Sequence, residues 1–182
     1  WMPQLTSDET PINQYRIIWD LMHNVDHSNV IITHDAGSPR DQIVPMWEST
    51  TPRSYMGWGK STQLGYGLGI IMGAKLAEPN KLCINIMGDA AIGMAGMDIE
   101  TAVRHEIPIL TIVFNNHVLS GYSRNYPVAT ERFGFTNLYG EYAKLADTLG
   151  AHAERIEEPG EILPSIQRAR EAMATGRPAL LE

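Results

Sequence analysis

Two residues stand out by type and spacing: Asp89, in Gly88-Asp89-Ala90-Ala91, and Asn116, 27 positions later in Asn115-Asn116. Each follows an apolar run, Ile84-Asn85-Ile86-Met87 before the first and Ile109-Leu110-Thr111-Ile112-Val113-Phe114 before the second. One carboxylate and one carboxamide, brought together, suit a hard cation. Magnesium takes about six oxygen ligands, usually one or two from protein side chains and the rest from water and phosphate. A single Asp leaves the ion with positive charge to offer a phosphate anion. A second carboxylate in place of Asn116 would repel that anion by roughly 4 kcal/mol at about 4 Å and an effective dielectric near 20. The neutral amide supplies an oxygen without the repulsion.

For Asp89 and Asn116 to meet, the two apolar runs must be parallel strands that end at one sheet edge, with a helix over 94–105 crossing between them. Ligands of open α/β sheets bind at that edge. The rest of the chain keeps the same alternation. The pattern predicts a helix over 11–26, with Pro11 in its first turn and Ile12, Tyr15, Ile18, Trp19, Met22 and Val25 on its core face. A strand over 29–33 delivers His34-Asp35-Ala36-Gly37-Ser38 to the edge that carries Asp89. Residues 39–58 read as a long irregular connection, and 57–69 as a glycine-rich loop running into a helix that ends near 77, its small residues allowing close packing on the sheet. Strands follow over 81–87, 107–114, 151–156 and 178–181, with helices over 141–149 and 159–175. Met94 and Met97 read as core fillers. Alternation of this kind implies an α/β fold: a doubly wound, mostly parallel sheet with helices on both faces, in three layers. Residues 1–10 read as a linker from a preceding domain and 11–182 as one domain.

Composition narrows the classes of function. A chain of 182 residues with 43% hydrophobic and 19% charged residues can bury a full core. The net charge of −7, without a Lys/Arg cluster, argues against nucleic-acid and anionic-membrane partners. Any phosphate group must therefore be met by backbone N–H groups and a metal more than by basic side chains. No apolar run reaches the length of a membrane span and no signal-peptide pattern opens the chain, so the cytoplasm is the expected compartment. The lone cysteine, Cys83, sits in an apolar strand and reads as buried and inert. The sequence opens on Trp1 and closes inside an apolar run, which leads to the expectation of a segment of a longer polypeptide.

Gly88-Asp89-Ala90, the spacer, and Asn115-Asn116 together resemble the thiamine diphosphate and magnesium motif of the acetolactate synthase and 2-oxo acid decarboxylase superfamily. From about Pro11 to its end, the chain is similar to that family's C-terminal, diphosphate-binding domain. The resemblance implies Mg²⁺ held by Asp89, Asn116 and the carbonyl of Val118. It implies diphosphate contacts from Gly37, Ser38, Gly88, Asp89, Ala90, Ala91 and Asn116. By the same resemblance Leu64 wedges under the cofactor to force its folded shape, and the backbones of Thr62 and Leu64 bind the pyrimidine edge. The implied reaction is decarboxylation of a 2-oxo acid, with the acyl carbanion transferred or protonated. No catalytic residue is expected in this chain: the activating Glu of the family lies in a pyrimidine-binding domain, contributed by a second subunit of a homodimer or homotetramer. The isolated chain is accordingly expected to be inactive. The family has Gly where this sequence has Ala90, a departure that matters only if the backbone there needs a positive φ. Other readings stay open: the small subunit of a two-chain decarboxylase, a nucleotide-binding Rossmann-like domain, or a non-catalytic docking domain. Against the Rossmann reading, no Gly-x-Gly-x-x-Gly follows the first strand.

Overall fold

Runs rich in β-branched residues become strands, and each alternates the faces it presents. In the computed structural model, which describes residues 1–57, 59, 63–119 and 121–182, β1 (Val30–His34), β2 (Tyr55–Met56), β3 (Leu82–Gly88), β4 (Leu110–Phe114), β5 (His152–Glu154) and β6 (Ala179–Leu181) form one parallel sheet. Its order is β2-β1-β3-β4-β6-β5. Helices among the described residues are α1 (Met2–Leu5), α2 (Gln14–Asn24), α3 (Ser38–Ile43), α4 (Tyr66–Ala77), α5 (Asp89–Ala95), α6 (Asp98–Arg104), α7 (Tyr122–Asn125), α8 (Pro127–Phe133), α9 (Tyr142–Thr148) and α10 (Ile162–Met173).

Strand alternation splits the core in two. Ile31, Cys83, Met87, Val113 and Leu180 face α4, α5, α6 and α9, whereas Ile32, Ile84, Ile86, Ile112 and Leu181 face α2, α3 and α10. This is the three-layer, doubly wound architecture that the alternating pattern predicts. Cys83 is fully buried, and burial pushes its thiol pKa up to about 11, so it is inert at neutral pH.

Several local expectations are corrected. The first long helix starts at Gln14, not at Pro11, because the Asn13 side chain accepts the N–H of Tyr15 at 3.0 Å and caps it there. Its fully buried residues are Ile18 and Leu21, with Ile12, Met22 and Val25 only at the margin of the core. Tyr15 instead packs on Trp1 and Trp19 on His23. Within residues 1–10, α1 packs on α2 through buried Leu5, and Arg16 donates to the Ser7 carbonyl and to Asp8. Residues 39–58 contain most of α3 and the edge strand β2 rather than an irregular path alone.

The crossover is two helices, because the chain turns at Gly96, where a Cβ would lie 2.6 Å from the Ile92 carbonyl oxygen. The turn leaves Met94 and Met97 on the outer surface, 68% and 64% exposed, so neither fills the core. Of the glycines in α4, only Gly67 packs on the sheet. Gly69 and Gly73 face open space.

Gly67 is required by contact. A Cβ there would stand 2.5 Å from the buried Asn85 Oδ1 and 3.2 Å from Asp35 Oδ2. Thr33, Asn85 and Thr111 form a buried polar row across β1, β3 and β4, and Thr33 Oγ1 donates to Asn85 Oδ1 and to the Gly67 carbonyl. Gly67→Ala should therefore lower the free energy of unfolding in urea by about 2 kcal/mol, whereas Gly69→Ala should leave it unchanged or raised.

Candidate functional site

β3 and β4 pair in register, with Gly88 opposite Phe114, so Asp89 and Asn115-Asn116 leave the sheet side by side. A cleft of about 620 Å³ opens at this edge, within the range of small-molecule sites. Gly37, Ser38, Leu64, Gly88, Asp89, Ala90, Ala91, Asn116 and Val118 all line it. The structure thus brings together every site residue expected from the sequence except Thr62, which lies outside the described residues. Gln14, Ile156, Ile162, Ser165 and Leu181 line the same cleft.

Asp89 is the first residue of α5 and is 4% exposed. Its Oδ1 accepts the N–H of Ala90 at 2.8 Å, while Oδ2 is buried and has no hydrogen-bond partner among the described residues. Such an orphaned carboxylate oxygen at the wall of a cleft has the chemistry to serve as a ligand for a cation. Asn116 is exposed, and its Oδ1 accepts the N–H of Val118 at 3.1 Å. That bond fixes the oxygen's direction and uses one of its two lone pairs. His117, between them, takes φ +58° to close the turn. Val118 sits opposite Asn137, and the two bonds that hold this bridge, Leu119 N–H to the Thr136 carbonyl and Leu138 N–H to the His117 carbonyl, bypass the Val118 carbonyl. One carboxylate oxygen, one amide oxygen and one carbonyl are a donor set suited to Mg²⁺. Among the described residues no three of His, Cys, Asp and Glu converge, so a zinc-type cluster is not built there.

The remaining groups suit an anion met by backbone. Gly37 takes φ +87°, a conformation that favours glycine, just before Ser38 opens α3. Ala91 lies in the first turn of α5, where N–H groups have no helical acceptor. Ala90 is inside that helix and is not among the positive-φ residues, so its Cβ costs the backbone nothing. The cations lining the cleft are already engaged: Arg40 pairs with Asp41 and Arg155 with Glu157.

Comparison with known proteins agrees with this layout. Residues 35–182 match the model of the thiamine pyrophosphate enzyme, C-terminal TPP binding domain. The chain belongs to this family. It is 30% identical over 188 residues to a probable acetolactate synthase large subunit of Methanococcus aeolicus, with 100% of this chain and 31% of the relative covered. It is 27% identical over 191 residues to a 2-hydroxyacyl-CoA lyase of Oryza sativa subsp. japonica, covering 98% of the chain and 32% of the relative. A sulfoacetaldehyde acetyltransferase of Alcaligenes xylosoxydans xylosoxydans is 30% identical over 158 residues, covering 85% and 26%. The chain spans about a third of the length of the curated relatives it matches. Membership of the thiamine pyrophosphate enzyme family displaces the Rossmann-like nucleotide reading.

Three groups at this edge of the TPP-binding domain escaped the sequence reading. Asp35 is fully buried and accepts N–H bonds from Ala36, Gly65 and Gly67; burial raises its pKa, against the lowering effect of those bonds. Asn115, next to Asn116, donates through Nδ2 to the Gly140 carbonyl at 3.3 Å and to Glu182 Oε1 at 2.6 Å, and accepts the His117 N–H through Oδ1. Glu182 Oε2 accepts the N–H of Ala143 at 2.6 Å, so one carboxylate ties the ends of β4 and β6 to the start of α9. The signal in the sequence was the same in each case: a polar residue following an apolar strand at the edge already marked by Asp89. His34 is a packed strand-end residue, and burial lowers its pKa.

Asp89 is poorly served by the fold alone. Its orphaned oxygen costs about 1–3 kcal/mol, more than the roughly 0.3–1 kcal/mol that a carboxylate gains in the first turn of a helix. Asp89→Asn should therefore raise the unfolding free energy by about 1 kcal/mol when urea titrations are run in EDTA. A loss of stability in that variant would mean that the native carboxylate is already satisfied.

Proposed function

We propose that this chain is the diphosphate-anchoring domain of a thiamine diphosphate- and Mg²⁺-dependent enzyme that acts on 2-oxo acids, by decarboxylation with transfer or protonation of the acyl carbanion. The observation that carries this reading is the buried, unpartnered Asp89 Oδ2, in the same cleft as Asn116 and Val118. Asp89, Asn116 and the Val118 carbonyl hold the ion. Ser38 and the backbones of Gly37, Gly88, Ala90 and Ala91 bind the diphosphate, with the ion lending the positive charge that the local arginines do not. Leu64, half-buried at the cleft wall, supports the folded cofactor, and its backbone takes the pyrimidine edge, a role the family resemblance also gives Thr62, outside the described residues. When bound, thiamine diphosphate supplies a carbon nucleophile and an electron sink for bond scission beside a carbonyl; the protein supplies anchoring and shape.

The relatives' names span a synthase, a lyase and an acetyltransferase. That range suits a domain that provides what such reactions share and leaves substrate choice to the rest of the protein. The activating Glu then comes from a pyrimidine-binding domain of a second subunit, in a homodimer or homotetramer, in the cytoplasm. No helix among the described residues is long and apolar enough to cross a membrane.

Thermal unfolding with Mg²⁺ and thiamine diphosphate, together and separately, tests the site. Saturation with both should raise the midpoint by about 5–10 °C, and the rise should vanish in Asp89→Ala. A rise that survives in that variant, or that needs no Mg²⁺, would remove the metal from the reading. The 182-residue chain alone should release no carbon dioxide from pyruvate, since in this reading the activating Glu belongs to the pyrimidine-binding domain. Turnover by that chain would show that an acid–base group within it had been missed.

A further inference from the structure

We propose that Asp35 is a positioning residue that caps α4 from outside the helix and thereby fixes Leu64 at the cleft. The inference rests on the cofactor reading above, in which Leu64 supports the folded thiamine diphosphate.

Asp35 is 0% exposed and forms no ion pair among the described residues. Taking a carboxylate out of water is expensive unless strong donors replace the lost hydration. Here the donors are backbone groups. Oδ1 accepts the N–H of Ala36 at 3.0 Å and of Gly65 at 2.9 Å, and Oδ2 accepts the N–H of Gly67 at 3.3 Å. Gly65 immediately precedes α4 and Gly67 is its second residue, so both N–H groups belong to the helix end that has no internal acceptors. An N-cap side chain usually fills that need. Gly65 has none, and a strand-end residue 30 positions earlier fills it instead.

Both glycines are needed for this approach. Gly65 sits at φ +91°, and a Cβ on it would meet the Ala95 Cβ at 2.9 Å; one on Gly67 would crowd Asp35 itself. Asp35 is in turn tied to the sheet, since its N–H donates to the Ile86 carbonyl at 2.8 Å. Leu64 directly precedes Gly65 and packs against the core face that holds Leu68 and Ala91. The Gly65 N–H···Oδ1 bond is therefore the last fixed point before Leu64, and it refers that side chain to β1 and β3.

The test compares two ligands by isothermal titration on the protein at its full natural length: magnesium pyrophosphate, which has no rings to support, and thiamine diphosphate with Mg²⁺. Asp35→Asn keeps the size and removes the charge. It should leave pyrophosphate affinity within about twofold of wild type and weaken thiamine diphosphate about tenfold or more, the scale of one lost hydrogen bond to a charged group. Leu64→Ala should show the same split, and the double variant should lose little beyond either single one, because both changes remove one support. Equal weakening of both ligands would make Asp35 a general determinant of the fold and overturn the proposal. So would unchanged binding, or fully additive losses in the double variant. If the wild-type protein binds neither ligand, the cofactor reading itself fails, an outcome distinct from all of these.

Discussion

The in-register pairing of β3 with β1 and β4 is the constraint on which the site depends. Parallel strands buried on both faces can offer polar groups to a cleft only where the ladder stops. Here the ladder from Ile84↔Leu110 to Gly88↔Phe114 stops on both strands at once, so Asp89 and Asn116 emerge together. On the other side His34 pairs with Ile86, which puts Asp35 and the 36–38 turn beside the same opening. A slip of one residue would turn the buried faces of β3 over and carry Asp89 out of the cleft. Core packing and site geometry are thus one requirement, enforced by Ile84, Ile86, Cys83 and Met87.

The electrostatic arrangement follows from the same edge. The domain carries a net charge of −7, and the arginines nearest the cleft are occupied by Asp41 and Glu157. Carboxylates are nevertheless concentrated there, with Asp35, Asp89 and Glu182 all at strand ends. They serve different ends. Asp35 and Glu182 are met by backbone N–H groups and act as internal fastenings, whereas Asp89 is left with an oxygen to spare. The buried Tyr142 hydroxyl senses this charge: burial raises its pKa, and Asp89 and Glu182 raise it further.

Much of this was legible in the sequence. Strand runs such as Ile109 to Phe114 read true because β-branched residues in short runs have few other uses, and Asp89 and Asn116, marked by type and spacing, do line one cleft. What was not legible depended on backbone geometry and on contacts that residue types do not fix. The turn at Gly96 rests on the path of the backbone past the Ile92 carbonyl, four residues back, which the residue types alone do not fix, and with it goes the outward placement of Met94 and Met97. Asn13 was the better helix start than Pro11, a contest settled by one side-chain bond to Tyr15. Asp35 escaped notice because its partners, Gly65 and Gly67, lie 30 and 32 positions away.

Ala90 carries a consequence for how such domains are found. The position lies in a right-handed helical turn, at the half-buried wall of the cleft. Its requirement is small size, not the left-handed freedom that glycine alone provides. A search pattern demanding glycine after the aspartate confuses a common solution with a necessary one. Written as Gly-Asp followed by any small residue, and anchored by the paired asparagines at the end of the next strand, the pattern would admit chains like this one that a stricter form rejects.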